Sequence, residues 1–136
     1  MMNKINVAFV CVHNSCRSQI AEALGKLYLS DIANFYSAGT TVVDRINPDA
    51  VRLMEKLYHI NLEETQKPKL LSTLPQIDYL ITMGCNVECP YIPCKIRTDW
   101  GIDDPTNFPE EEFIKTIQLI EKKVLHIKSE IKMHFN

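Results

Sequence analysis

Residues 5–18 read Ile5-Asn6-Val7-Ala8-Phe9-Val10-Cys11-Val12-His13-Asn14-Ser15-Cys16-Arg17-Ser18, and their reading decides the fold. The first eight are β-rich and nearly continuous in hydrophobicity, the pattern of a central parallel strand covered on both faces. From Ser18 onward Ile20, Ala21, Ala23, Leu24 and Leu27 recur at helical spacing. The polar run between is therefore a strand-to-helix turn. Such a turn aims several backbone N–H groups and the positive end of the helix dipole at one small volume. That volume suits a tetrahedral oxyanion. It also suits Cys11 as a thiolate, because the helix terminus and Arg17 both favour the charged sulfur.

The Cys11-x5-Arg17 spacing has a mechanical reason. A loop of that length wraps an XO4 anion with the amides of Val12, His13, Asn14, Ser15 and Cys16 while Arg17 grips two oxygens bidentately. The sulfur is left beneath the central atom for in-line attack. Alone, the spacing is a weak signal. The strand before it, the helix after it and the hydroxyl of Ser18, placed to donate to the thiolate, make it a specific one.

The rest of the chain alternates strand and helix. Phe35 to Ala38 forms a second strand closed by Gly39. Asn47-Pro48-Asp49 starts a helix with Asn47 as cap, and Val51, Met54, Leu57 and Tyr58 are its expected buried stripe. Pro68 and Pro75 bracket room for one helical turn. Ile77 to Met83 is a third strand, and Gly84 to Pro93 a loop. Lys95 to Trp100 is a short fourth strand, followed by a second functional-looking loop, Gly101 to Pro109. In the last helix Phe113, Ile117, Ile120, Val124, Ile127 and Ile131 alternate spacings of four and three, with Glu110 to Glu112 at the positive end. This order predicts one α/β domain over residues 1–136, a small, about four-stranded parallel sheet flanked by helices on both faces.

Composition agrees. The chain has 136 residues, 46% hydrophobic, with a formal net charge of −2, enough for one domain burying about two-thirds of its unfolded surface. Near-neutral charge without a basic block gives no reason to expect nucleic acid. No apolar run approaches the roughly 20 residues of a membrane span, and the run from Ile5 is too short for a signal peptide. A cytoplasmic monomer without a bound cofactor or metal is expected. The five cysteines, an odd number, make a poor disulfide scaffold and point to redox catalysis or metal binding. Cys11 and Cys16 share the first loop; Cys85, Cys89 and Cys94 cluster in the second half. Their Cys-x3-Cys-x4-Cys pattern lacks the C-x2-C knuckle and a fourth ligand, which weighs against zinc.

Val10 to Gln19 resembles the active-site loop of the low-molecular-weight tyrosine phosphatase superfamily, most closely that of its thioredoxin-coupled arsenate reductases. Ser37-Ala38-Gly39, Cys89-Pro90 and Trp100-Gly101-Ile102-Asp103-Asp104-Pro105 extend the resemblance over nearly the whole chain. It implies Cys11 as nucleophile, Arg17 as oxyanion binder, Asn14 as the residue shaping the loop and Ser18 as stabiliser of the thiolate. Asp104, rather than its neighbour Asp103, is the implied general acid. It further implies a relay in which Cys85 attacks Cys11 to release arsenite and Cys89 then attacks Cys85, presenting a disulfide to thioredoxin. The alternative is a phosphatase acting through a Cys11 phosphoenzyme. A metal- or arsenite-binding regulator, with the second cysteine cluster as its trap, is a third reading, and it leaves the cradle and Asp104 without a purpose.

The chain departs from these patterns in places. Thr106 and Asn107 follow Pro105 where phosphatases carry an aromatic pair, with Phe108 the nearest aromatic. Cys85 and Cys89 lie closer together than the relay cysteines of familiar reductases, and Cys94 competes with Cys89 as the relay's last member. Some relatives bind potassium near an acidic residue in the stretch matching Thr65-Gln66-Lys67-Pro68; here Lys67 is expected to supply the charge. His13 is expected at the rim and Trp100 in the core. Cys16 is read as packing at least as much as chemistry, and the lysines at 115, 122, 123, 128 and 132 as a solvated face.

Overall fold

The computed structural model describes residues 4–41, 43–84 and 92–135. Strands β1 (Ile5–Cys11), β2 (Ala33–Gly39), β3 (Tyr79–Thr82) and β4 (Ile96–Asp99) form one sheet in the order β2-β1-β3-β4. Every pairing is parallel, with Cys11 beside Gly39 and Val10 beside Thr82. The first strand is central, as its hydrophobicity predicts. All strands run the same way, so their C-terminal ends, and the loops that follow, gather at one edge. In open α/β sheets that edge is where ligands bind.

The helices are α1 (Arg17–Leu29), α2 (Pro48–Tyr58), α3 (Leu62–Thr65) and α4 (Glu110–Phe135), with a 3-10 turn at Leu71–Thr73. Alternate residues of β1 feed two clusters. Val7, Phe9 and Cys11 join the larger one, with Ile20 and Leu24 of α1, Leu53 and Met54 of α2, Leu62 of α3 and the α4 stripe. Ala8 and Val10 join the smaller one with Ile77 and Leu80, covered by Leu71, Leu74, Ile92 and Cys94. The four α-helices thus thicken one cluster, while the 3-10 turn and adjoining chain close the other.

All six expected α4 residues are buried. On α2, Asn47 caps the helix as predicted, its Oδ1 accepting from the N–H groups of Asp49 and Ala50. The expected stripe there holds in part: Met54 is buried and Val51 and Tyr58 pack against the larger cluster, whereas Leu57 is exposed and Ala50 and Leu53 are buried in addition. Helix α3 was not anticipated from the sequence. Trp100 packs on Phe9 with ring centroids 5.4 Å apart, a core role as expected. Lys123 is a partial correction to the solvated face, since its ammonium lies over the Trp100 ring.

Candidate active site

The turn after β1 is built from the inside outward. Asn14 is fully buried with φ 53°, a left-handed conformation that asparagine tolerates well. Its Oδ1 accepts from the Lys69 N–H at 2.8 Å and from Gln19 Nε2 at 3.0 Å, which fixes Nδ2 as a donor. Nδ2 donates to Ser18 Oγ at 2.8 Å. An oxygen receiving that donor turns its own proton elsewhere, and Cys11 Sγ lies 2.8 Å from it. The Ser18 hydroxyl therefore donates to the sulfur, the polarity that a thiolate requires.

Behind this chain, Gln66 Nε2 donates to Gln19 Oε1 at 2.7 Å and to the Gln19 carbonyl. Gln19 in turn donates to the carbonyls of Asn14 and Lys67. The loop also needs Gly39. A Cβ there would stand 2.7 Å from the Val12 carbonyl oxygen and 2.9 Å from the Asn14 nitrogen. No side chain fits between β2 and the turn.

Cys11, Val12, His13, Ser15, Cys16, Arg17 and Asp104 line one cavity of about 200 Å³. Arg17 is 5% exposed. Its Nη1 donates to the Ile102 carbonyl at 2.7 Å and weakly to that of Met83, so the guanidinium is anchored to the chain after β3 and β4. Its buried Nε has no hydrogen-bond partner among the described residues. A buried unpaired donor on a cationic group costs free energy unless a ligand satisfies it. An oxyanion is the kind of acceptor that satisfies such a donor.

Asn14 and Ser18 do not line the cavity; both act on it through their neighbours. Asp104 lines it and Asp103 does not, which separates two residues the sequence left adjacent. Cys16 is 4% exposed, and burial, followed by the nearby Asp104 carboxylate, pushes its thiol well above the usual range. It is a neutral packing group. His13 stands at the rim as expected, its Nδ1 3.0 Å from Thr41 Oγ1.

The expectation for Lys67 is corrected. Its side chain is exposed, and it contributes its carbonyl, which accepts from Gln19 and from Lys69 Nζ. The positive charge beside the cradle comes from Lys26 and Lys69: Glu22, a buried residue of α1, is bonded to Ser37 and Lys26 and lies 3.6 Å from Lys69 Nζ. Among the described residues, no group of three or more His, Cys, Asp or Glu side chains is placed to hold a metal. Nor is any described helix long and apolar enough to cross a membrane. Cys85 and Cys89 lie outside the described residues. Cys94 is a half-buried free thiol packed on the smaller cluster.

Two residues that the sequence reading passed over as site residues, Asn47 and Thr106, reach the site. The Asn47 N–H donates to the Ser15 carbonyl at 2.7 Å, and Thr106 bonds Asp104 through both its N–H and its hydroxyl. Residues 6–135 match the family model described as low molecular weight phosphotyrosine protein phosphatase. The chain belongs to that family. Within it, the chain is 35% identical over 127 residues to an arsenate reductase of Bacillus cereus strain 03BB102, covering 91% of this chain and 94% of that one. A solved arsenate reductase in the phosphate-binding state superposes with a TM-score of 0.83 at 28% identity, over 93% of this chain and 98% of that one. The thioredoxin-dependent arsenate reductase of Corynebacterium glutamicum superposes with a TM-score of 0.74 at 30% identity, over 96% of this chain and 63% of that one.

Proposed function

We propose that this family member is an arsenate reductase using a thioredoxin-type dithiol. The observation that carries the reading is the cradle: Cys11 sulfur facing the Ser18 hydroxyl, and Arg17 with an unpaired buried donor, in a cavity that also takes in Asp104. The identity to arsenate reductases over nine-tenths of the chain supports the choice of oxyanion.

In this scheme the Cys11 thiolate attacks the arsenic of arsenate while Arg17 and the loop amides hold its oxygens. A sulfur–arsenic bond forms as an arsenic–oxygen bond breaks, and the departing oxygen takes a proton from Asp104 to leave as water. Cys85 then attacks the Cys11 sulfur. The sulfur–arsenic pair of electrons stays with arsenic, which departs as arsenite, and a Cys11–Cys85 disulfide remains. Cys89 attacks Cys85, frees Cys11 and passes the disulfide to thioredoxin, whose dithiol supplies both electrons. The electrons come from thiols throughout, so the scheme calls for no bound cofactor or metal.

The test compares arsenate-dependent oxidation of thioredoxin with hydrolysis of an aryl phosphate in the parent, Cys85→Ser and Cys89→Ser. A reductase loses the first activity in both variants and keeps any hydrolysis. Unchanged arsenate turnover in both variants rejects the relay. Fast hydrolysis with no arsenate turnover in the parent selects the phosphatase.

A further inference from the structure

The acid loop is tied to the cradle by hydrogen bonds that run through a residue of α2's cap. Asn47 Oδ1 is committed to the Asp49 and Ala50 N–H groups at 2.8 and 3.2 Å, so its Nδ2 is a donor. That Nδ2 lies 3.3 Å from Thr106 Oγ1. The threonine hydroxyl, accepting there, donates its own proton to Asp104 Oδ1 at 2.7 Å, and the Thr106 N–H donates to the same oxygen at 3.0 Å. At its other end Asn47 holds the Ser15 carbonyl of the cradle. One asparagine thus spans the anion loop, a helix N-terminus and the segment bearing the acid.

From this arrangement we propose that Thr106 is a positioning residue, latched by Asn47, that selects which carboxyl oxygen of Asp104 carries the transferable proton. Oδ1 already accepts two donors, so the proton resides on Oδ2. Fixing Oδ1 at two points also fixes the carboxyl plane. When Asp104 gives up its proton to the leaving oxygen, the oxygen–hydrogen bond at Oδ2 breaks, and the negative charge that forms is shared with Oδ1, where two donors already point. No donor has to move in that step. The inference rests on the reading of Asp104 as general acid in the proposed function.

The test is a double-mutant cycle between Thr106→Ala and Asp104→Asn. It is read as kcat and KM for arsenate turnover with dithiothreitol as reductant, and for phenyl phosphate hydrolysis. Phenyl phosphate expels a poor leaving group and p-nitrophenyl phosphate a good one, so the pair reports on protonation. Thr106→Ala is expected to lower kcat about tenfold on arsenate and phenyl phosphate, with KM within about twofold and p-nitrophenyl phosphate little affected. Thr106→Ser, which keeps the hydroxyl, restores the rate. Asn47→Ser, which keeps the helix cap but cannot reach Thr106, reproduces part of the loss. In an Asp104→Asn background, Thr106→Ala costs nothing further, the non-additivity of two residues serving one step.

The proposal is overturned if Asp104→Asn slows a reaction in which Thr106→Ala does not, or if the two losses multiply. It is also overturned if serine fails to restore the rate in a protein that melts like the parent. If Asp104→Asn slows neither reaction, the acid assignment itself fails, a distinct result that takes the proposal with it.

Discussion

At the scale of single residues, the direction of a hydrogen bond matters more than its length. Asn14 can only donate to Ser18, so Ser18 can only donate to Cys11. A bond to a charged acceptor contributes about 1.5–3 kcal/mol, or roughly a 10- to 150-fold effect on a step that depends on the thiolate. Ser18→Ala is therefore expected to slow alkylation of Cys11 by iodoacetamide by that factor, followed on the Cys11 peptide by mass spectrometry. An unchanged rate would mean the serine does not polarise the sulfur.

Cys16 gives the opposite expectation. Burial raises its thiol above the ordinary cysteine range, so the folded state holds the proton after the unfolded chain has begun to lose it. Native protein then binds more protons than unfolded protein, and stability falls as pH rises past about 9, approaching 1.4 kcal/mol per pH unit. Cys16→Ala removes that contribution, so the variant loses less stability than the parent between pH 8 and 10.5 in urea titrations. Parallel losses in the two proteins would refute it. Cys11 and Arg17 were legible in the sequence because a strand, a loop of fixed length and a helix set their geometry locally. The Asn47–Thr106 bond was not, because 59 positions separate its ends and neither residue carries a pattern that names the other.

At the scale of elements, legibility follows length and one-sidedness. Helix α4 has 26 residues, and Phe113, Ile117, Ile120, Val124, Ile127 and Ile131 repeat at helical spacing along most of it, so length singles out the buried face even though Leu119, Leu125 and Met133 lie exposed off that stripe. Helix α2 carries apolar residues at 50, 51, 53, 54, 57 and 58, which share a single arc of roughly 160°; the period finds that face, but which of its members are fully covered depends on the neighbours, and Leu57 is left exposed. Helix α3 has four residues and no period to read. Its signal was Asn61 ahead of Glu63 and Glu64, a cap followed by acid in the first turn.

The turns after β3 and β4 were recognised as loops, but their mutual contact is tertiary. Gly84 has φ 89°, and a Cβ there would stand 2.4 Å from Gly101 Cα, backbone that cannot swing aside. Both turns also feed the carbonyls that hold Arg17. Gly84→Ala is accordingly expected to cost roughly 2–4 kcal/mol through strain and overlap and to weaken phosphate protection of Cys11 against alkylation. Urea unfolding checks the first effect and alkylation with added phosphate the second. A variant as stable as the parent would show that the two turns separate freely.

At the scale of the molecule, the parallel sheet gathers the anion loop, the acid loop and the turn at Gly84 at one edge, and a charge cluster around the buried Glu22 supports that edge from below. Glu22 is 4% exposed, and a carboxylate so placed needs compensating charge. Lys26 is bonded to it and Lys69 Nζ lies 3.6 Å away, while Ser37 donates from β2. Lys69 is itself half-buried, and desolvation lowers its affinity for a proton, partly offset by Glu22. Its backbone N–H holds Asn14, and its carbonyl accepts from Gly39, so one residue links the charge cluster to the cradle's shape. With two lysines at Glu22, a monovalent cation has no carboxylate left to neutralise. Exchanging sodium for potassium at constant ionic strength is therefore expected to leave the melting midpoint and the turnover unchanged. Lys69→Met keeps the backbone bonds and the aliphatic packing but removes one of the two charges. It is expected to cost about 1–2 kcal/mol, less than breaking an isolated buried pair because Lys26 remains. The midpoint in each salt measures both effects, and a potassium-specific rise in the parent would show that the lysines do not fill the cation's role.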